Sequence, residues 1–179
     1  MATNKQVVFI VASKDYQPIE YHIPKHLIEQ SGCTVITASD THGTIVAKDG
    51  TIGHAELLFN HINPENFDAI VFIGGPGALE HLDNQTSYDL LKKTEELDKI
   101  IGAICISTRI LAKAGILKNT FATGWNGDNE LDALYAQNKV RFKPNDVVVD
   151  GKIITATGPG AAREFAENII SLLTEKNEQ

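Results

Sequence analysis

Three segments of this chain are almost unbroken runs of branched apolar residues: Gln6-Val-Val-Phe-Ile-Val-Ala12, Asp68-Ala-Ile-Val-Phe-Ile73 and Ile100-Ile-Gly-Ala-Ile104. A strand with one face in water alternates polar and apolar side chains, and these segments do not. They read as strands covered on both faces, which requires a parallel sheet with helices packed on either side. Segments of helical period lie between them. In residues 18–30, Ile19, Ile23, Leu27 and Ile28 share one side, Pro18 suits a first turn and Gly32 a stop. Pro24 lies inside that pattern and is expected to kink or interrupt it. Residues 86–97 form a second amphipathic helix, and 106–114, closed by Gly115, a third.

The remaining elements follow from turn chemistry. Cys33–Ala38 is a further strand. Asp49-Gly50 and Asp150-Gly151 each sit between apolar runs and predict hairpins, 44–47 with 51–53 and 146–150 with 152–156. A short strand at 121–123 and a short helix at 129–137 follow. Gly158-Pro159-Gly160 opens a last helix reaching Leu173, and residues 175–179 read as a polar tail. No repeat, linker or low-complexity tract divides the chain, so residues 1–179 are expected to form a single domain of α/β class.

Composition narrows the partners. Asp and Glu number 23 against 16 Lys and Arg, a net charge of −7, which argues against nucleic acid or an anionic membrane and leaves room for a local basic pocket. No apolar run approaches the ~20 residues of a membrane span. Two cysteines, Cys33 and Cys105, are too few for a zinc cage or a disulfide framework, so a reducing compartment, most simply the cytoplasm, is expected. The histidines show no ligand spacing, and no Gly-Lys-Ser/Thr follows Gly74-Gly75-Pro76-Gly77. The sequence therefore assigns neither a metal nor a cofactor.

In a sheet of this kind ligands bind beyond the carboxyl ends of the strands. Cys105 stands at such an end, between a strand and a helix, where a tight turn exposes its side chain and helix N–H groups favour a thiolate. The alternative is a small buried hydrophobe. Gly74 and Gly75 end the neighbouring strand, and their backbone, with the N–H of Ile106, fits an oxyanion hole. Glu20 falls in the first turn of the first helix, where an acidic residue either complements the dipole or reaches the thiol across the top of the sheet.

With Glu20 and Pro24, 67–77, Ala103-Ile104-Cys105 with Leu111–Leu117, and Val147–Gly151 leading to Gly158-Pro159-Gly160, the chain resembles the ThiJ/PfpI superfamily. That superfamily includes the Parkinson-associated deglycase, PfpI-type intracellular proteases and glyoxalase-III-type enzymes. The resemblance implies a flavodoxin-like, doubly wound sheet of the class I glutamine amidotransferase kind, and a homodimer. It also implies a reactive, oxidisable Cys105, a protonated Glu20 donating to its sulfur, and Gly75 and Ile106 as backbone donors. The family's usual Ala or His directly after the cysteine is replaced by Ile106, and no histidine occurs after His81.

The Cys–His pair of a triad is therefore absent. His22 or His26 is a candidate substitute base, against the plainer reading of surface histidines. His42, His54, His61 and His81 are expected at the surface. Ser107, Thr108 and Trp125 are expected to line the pocket. Lys48, in the first hairpin, either attracts an anionic substrate or is an ordinary turn lysine. Three functions stay open: cysteine-dependent handling of small carbonyls, a redox-responsive or chaperone-like dimer with little turnover, and a PfpI-type peptidase. The last lacks a proton donor for the leaving amine.

Overall fold

The computed structural model describes residues 4–175. In chain order the strands and helices are β1 (Gln6–Ile10), β2 (Lys14–Tyr16), α1 (Pro18–Gln30), β3 (Thr34–Ser39), β4 (Gly43–Ala47), β5 (Ile52–Ala55), β6 (Leu57–Leu58), β7 (Ala69–Phe72), α2 (Ala78–Leu82), α3 (Gln85–Glu96) and β8 (Ile100–Ile104). A 3-10 turn over Cys105–Ser107 leads into α4 (Thr108–Lys113), β9 (Phe121–Ala122), α5 (Leu131–Gln137), β10 (Arg141–Phe142), β11 (Val147–Asp150), β12 (Ile153–Ala156) and α6 (Ala162–Thr174).

Seven strands form the central sheet in the order β11-β12-β8-β7-β1-β3-β6. All its pairings are parallel except the β11–β12 hairpin. The apolar runs are buried on both faces, as their composition demands. Val7, Phe9 and Val71 pack toward Tyr21, Ile28 and Phe165 of α1 and α6. Val8, Ile10 and Phe72 face the opposite layer, with Leu90, Leu91 and Leu111 of α3 and α4. This is the doubly wound architecture, with helices on both sides of a mostly parallel sheet. No helix among the described residues is long and apolar enough to cross a membrane.

Several local expectations are corrected. Pro24 does not interrupt α1, which continues to Gln30 with Pro24 on its buried side. A proline there deletes one intrahelical hydrogen bond, and packing against the sheet outweighs the loss. The first strand stops at Ile10, because the chain then turns toward a small second sheet of β2, β4 and β5. That sheet contains the expected Asp49-Gly50 hairpin, with Thr44 opposite His54. The short elements β2, β6, α2 and β10 carry no sequence period long enough to read. The polar tail expected at 175–179 lies, beyond Glu175, outside the described residues.

Candidate functional site

At the end of β8 the chain must change from extended to helical within one residue, and Cys105 makes that change with φ of +63°. A residue with a Cβ adopts this left-handed region at a cost of ~1–2 kcal/mol. Three hydrogen bonds hold it there. The Ser107 hydroxyl donates to Ile73 O (2.7 Å), tying the turn to the end of β7. The Thr108 hydroxyl (3.1 Å) and the Trp125 N–H (3.3 Å) both donate to Cys105 O. The turn lifts the sulfur to the top of the sheet, where the backbone N–H groups of Ile106 and Gly75 point toward it.

Glu20 arrives from the opposite side. Gln17 caps α1 by accepting from the N–H of Ile19, and Pro18 opens the first turn. Glu20, in that turn, is completely buried. Its Oε2 accepts from the N–H of Gly74 at 3.0 Å. A Cβ on Gly74 would lie 2.5 Å from Oε2 and 2.6 Å from Cβ of Cys105, so only glycine lets strand end, thiol and carboxyl meet. The other oxygen, Oε1, is buried with no hydrogen-bond partner.

Burial pushes the Glu20 carboxyl up to about 7, against the stabilising influence of the Cys105 thiol, the Gly74 N–H and Lys48. The thiol is pushed up to about 12, by burial first and then by the facing Glu20 charge, against the N–H groups of Ile106 and Gly75. This corrects the expectation of a thiolate favoured by a helix N-terminus. The helix behind Cys105 has six residues and a weak dipole, while the sulfur sits in an apolar turn facing an acid. Between these two ionisations the pair holds one proton.

The thiol and carboxyl open into a cavity of about 460 Å³ whose wall includes Gln17, Lys48, Ile106, Trp125 and Asp128. A hollow of about 540 Å³ lies at the other end of the strands, beside Lys5, Asp68, Asp98 and Lys152. There Lys5 pairs with Asp68 and Lys152 with Asp98, and no cysteine, serine or threonine is among the lining residues.

The same fold recurs in known proteins. A model of the DJ-1/PfpI family matches residues 5–172. The chain belongs to this family. It is 28% identical to the deglycase PfpI of Pyrococcus furiosus over 93% of this chain and 98% of that one. It is 24% identical to the glutathione-independent glyoxalase DJR-1.2 of Caenorhabditis elegans, over 97% and 91%. Among solved structures, the ThiJ/PfpI domain protein of Brachyspira murdochii superposes with a TM-score of 0.89 at 27% identity, covering 96% of this chain and 97% of that one.

Among the described residues, no histidine of this DJ-1/PfpI chain lines the cavity. His22 and His26, the candidate substitute bases, lie on the exposed side of α1. The His22 ring packs edge-on against Tyr21. Neither is part of the cavity wall. Ser107 and Thr108 are fully buried beneath the turn. They hold its backbone instead of lining the pocket, as does Gly74, whose N–H serves Glu20. Trp125 does line the pocket.

Arg109 carries no local sequence signal of a role at the site. It is 2% exposed, and its guanidinium donates to Asp128 Oδ1 (2.6 Å) and Trp125 O (3.3 Å) and stacks over the Trp125 ring at 5.6 Å. One buried cation thus fixes the loop that walls the pocket, and only the fold brings 109 beside 125–130. His81 is likewise no free surface group: its Nδ1 lies 2.8 Å from Asp40 Oδ2. Asp40 also accepts from Ser13 N–H and hydroxyl, each at 2.8 Å. The cluster fastens the loop after β1 to β3 and α2.

Proposed function

We propose that this protein acts on small reactive carbonyl compounds, with Cys105 as nucleophile and Glu20 as the group that moves the proton. The observation that carries this reading is the left-handed Cys105 facing a fully buried carboxyl inside one cavity. The deglycase and glyoxalase relatives support it.

Above the Glu20 ionisation the carboxylate takes the thiol proton as sulfur attacks the carbonyl carbon. A C–S bond forms, the C=O π pair moves to oxygen, and Glu20 returns its proton there to give a hemithioacetal. The N–H groups of Ile106 and Gly75 favour the negative charge that passes between sulfur and oxygen. For an α-oxo aldehyde, transfer of hydrogen between the two carbons and addition of one water give a 2-hydroxy acid. One carbon is oxidised and its neighbour reduced, so no external oxidant or cofactor enters.

The test is methylglyoxal consumption by the purified protein. Wild type is expected to produce lactate and Cys105→Ser to fall to the uncatalysed background. Equal rates in the two proteins would overturn the reading.

One feature favours a second reading, an oxidisable sensor. The sulfur has two N–H donors and a carboxyl beside it, and among the described residues no histidine lines the cavity. Two equivalents of hydrogen peroxide, each reduced to water, would carry the thiol to a sulfinate held by those groups. Mass spectrometry after mild peroxide is then expected to place two added oxygens on Cys105 and none on Cys33. Oxidation of Cys33 alone would rule this reading out.

A further inference from the structure

The cavity that holds Cys105 has one cation on its wall, Lys48, which the sequence leaves as either an anion-attracting residue or an ordinary lysine of the first hairpin. Lys48 follows β4. Its backbone N–H donates to Tyr16 O at 3.0 Å, and Ala47 pairs with Tyr16 in the small sheet. That pairing sets Lys48 beside Gln17, the next residue along, and both line the cavity with Cys105. No carboxylate lies within ion-pair distance of the Lys48 ammonium among the described residues.

The other charges facing the cavity are already engaged. Asp128 accepts from Arg109 and from the N–H of Glu130 at 3.1 Å. Asp49, next to Lys48, accepts from the N–H of Thr51 at 2.9 Å. Glu20 accepts from the Gly74 N–H and meets Lys48 only as a more distant charge, with no ion pair between them. Gln17 is 7% exposed. Its amide oxygen is used in capping α1, while its NH₂ has no partner among the described residues. An amide of a cavity-lining residue, beside a cation in no ion pair among the described residues, suits anionic oxygens.

We propose that the carbonyl substrate of this site bears a carboxylate, bound by the Lys48 ammonium and the Gln17 amide NH₂ while Cys105 attacks the neighbouring carbonyl. This deepens the carbonyl reading and rests on it. A single free positive charge suits a monoanion. It also explains how a chain of net charge −7 admits an anion to a site that carries an acid of its own.

Alkylation of Cys105 tests this without requiring turnover. Iodoacetate and iodoacetamide are nearly the same size, both displace iodide from carbon, and they differ in one negative charge. The ratio of their rates at Cys105, followed by peptide mass spectrometry, cancels the titration of the thiol itself. In wild type the iodoacetate-to-iodoacetamide ratio is expected to exceed that of free N-acetylcysteine. In Lys48→Met it should fall by about three- to tenfold, the scale of one partly screened charge at close range. Lys48→Arg should keep most of the wild-type preference, and added salt should erode it. Lys48 is exposed, so the substitution leaves the fold intact.

A ratio unchanged in Lys48→Met overturns the proposal whatever the methylglyoxal assay shows. A fallen ratio supports the anion site even in a protein that consumes no methylglyoxal, so the two failures are distinct.

Discussion

Replacing Glu20 by glutamine is expected to lower carbonyl turnover by about 10²- to 10⁴-fold, the usual worth of a positioned acid–base group, while making the protein more stable at alkaline pH. Both effects come from one buried carboxyl. Its ionisation is raised from 4.5 to about 7, so between those values the folded protein binds more protons than the unfolded chain and stability falls as pH rises. The neutral acid's contribution is fully present below pH 4.5 and is gone once the pH has passed through 7. The loss is about 3 kcal/mol. Glutamine is neutral throughout and still offers an oxygen to the Gly74 N–H, so denaturant unfolding of the variant should show no such fall.

Activity runs the other way. The attack requires ionised Glu20, so kcat/KM in wild type should rise with pH through about 7. Removing the acid also removes the charge that holds the thiol up near 12. If thiolate supply alone limited the reaction, the glutamine variant would be the faster protein at pH 9. A faster variant there would remove Glu20 from the proton-transfer role.

The largest stability effect is expected from Gly75→Ala, a loss of about 3–5 kcal/mol. Gly75 has φ of +120°, and a Cβ there would lie 2.4 Å from Gln17 N, 2.6 Å from Asp15 O and 2.7 Å from Tyr16 C. All three are backbone atoms of β2 and of Gln17, the residue that joins it to α1, so no side chain can swing aside. Accommodating the methyl breaks the Gln17 N–H bond to Gly74 O at 2.9 Å and the Gly77 N–H bond to Asp15 O at 3.2 Å. These bonds fix the start of α1 and therefore Glu20.

Thermal melting should show a drop of roughly 10 °C or more for a chain of this length, with Cys105 reactivity lost together with the fold at that end of the sheet. Gly115→Ala is the control. Its φ of +86° is also left-handed, but nothing lies within 4 Å of the added methyl, so it should cost only ~1 kcal/mol. Equal costs in the two variants would show that backbone conformation, and not the close approach of the loop, determines the effect.

Much of this molecule was legible because its signals are local and redundant. A strand buried on both faces cannot be written without a run like Val7–Ile10 or Ala69–Phe72, and a hairpin announces itself in Asp49-Gly50 or Asp150-Gly151. Cys105 was legible for the same reason, since a thiol between a buried strand and a helix has few places to go in a parallel sheet. Its ionisation was not. The helix-end argument predicts a lowered thiol, whereas the thiol is raised by burial and by a carboxyl that comes from 85 positions away in the chain.

The remaining misses share a cause. Ser107 and Thr108 look like pocket residues by proximity to Cys105, but a turn this tight sends its following side chains downward to bond Ile73 O and Cys105 O. Arg109 looks like a surface helix cation until the loop at 125–130 closes over it. The tripeptide strand β2 is too short to carry a period, and its pairing with β4 helps bring the Lys48 turn back onto the site.

The chain by itself determined its layered sheet and the place of Cys105 at a strand end. Periodicity and turn residues act over a few positions and need no partner to be read. Only the tertiary structure decided that the thiol is protonated against a buried acid and that His22 and His26 stand outside. It alone placed Lys48 on the wall of the cavity that Cys105 faces and Arg109 behind the loop that closes it, because burial and charge proximity depend on distances between segments that no local pattern encodes.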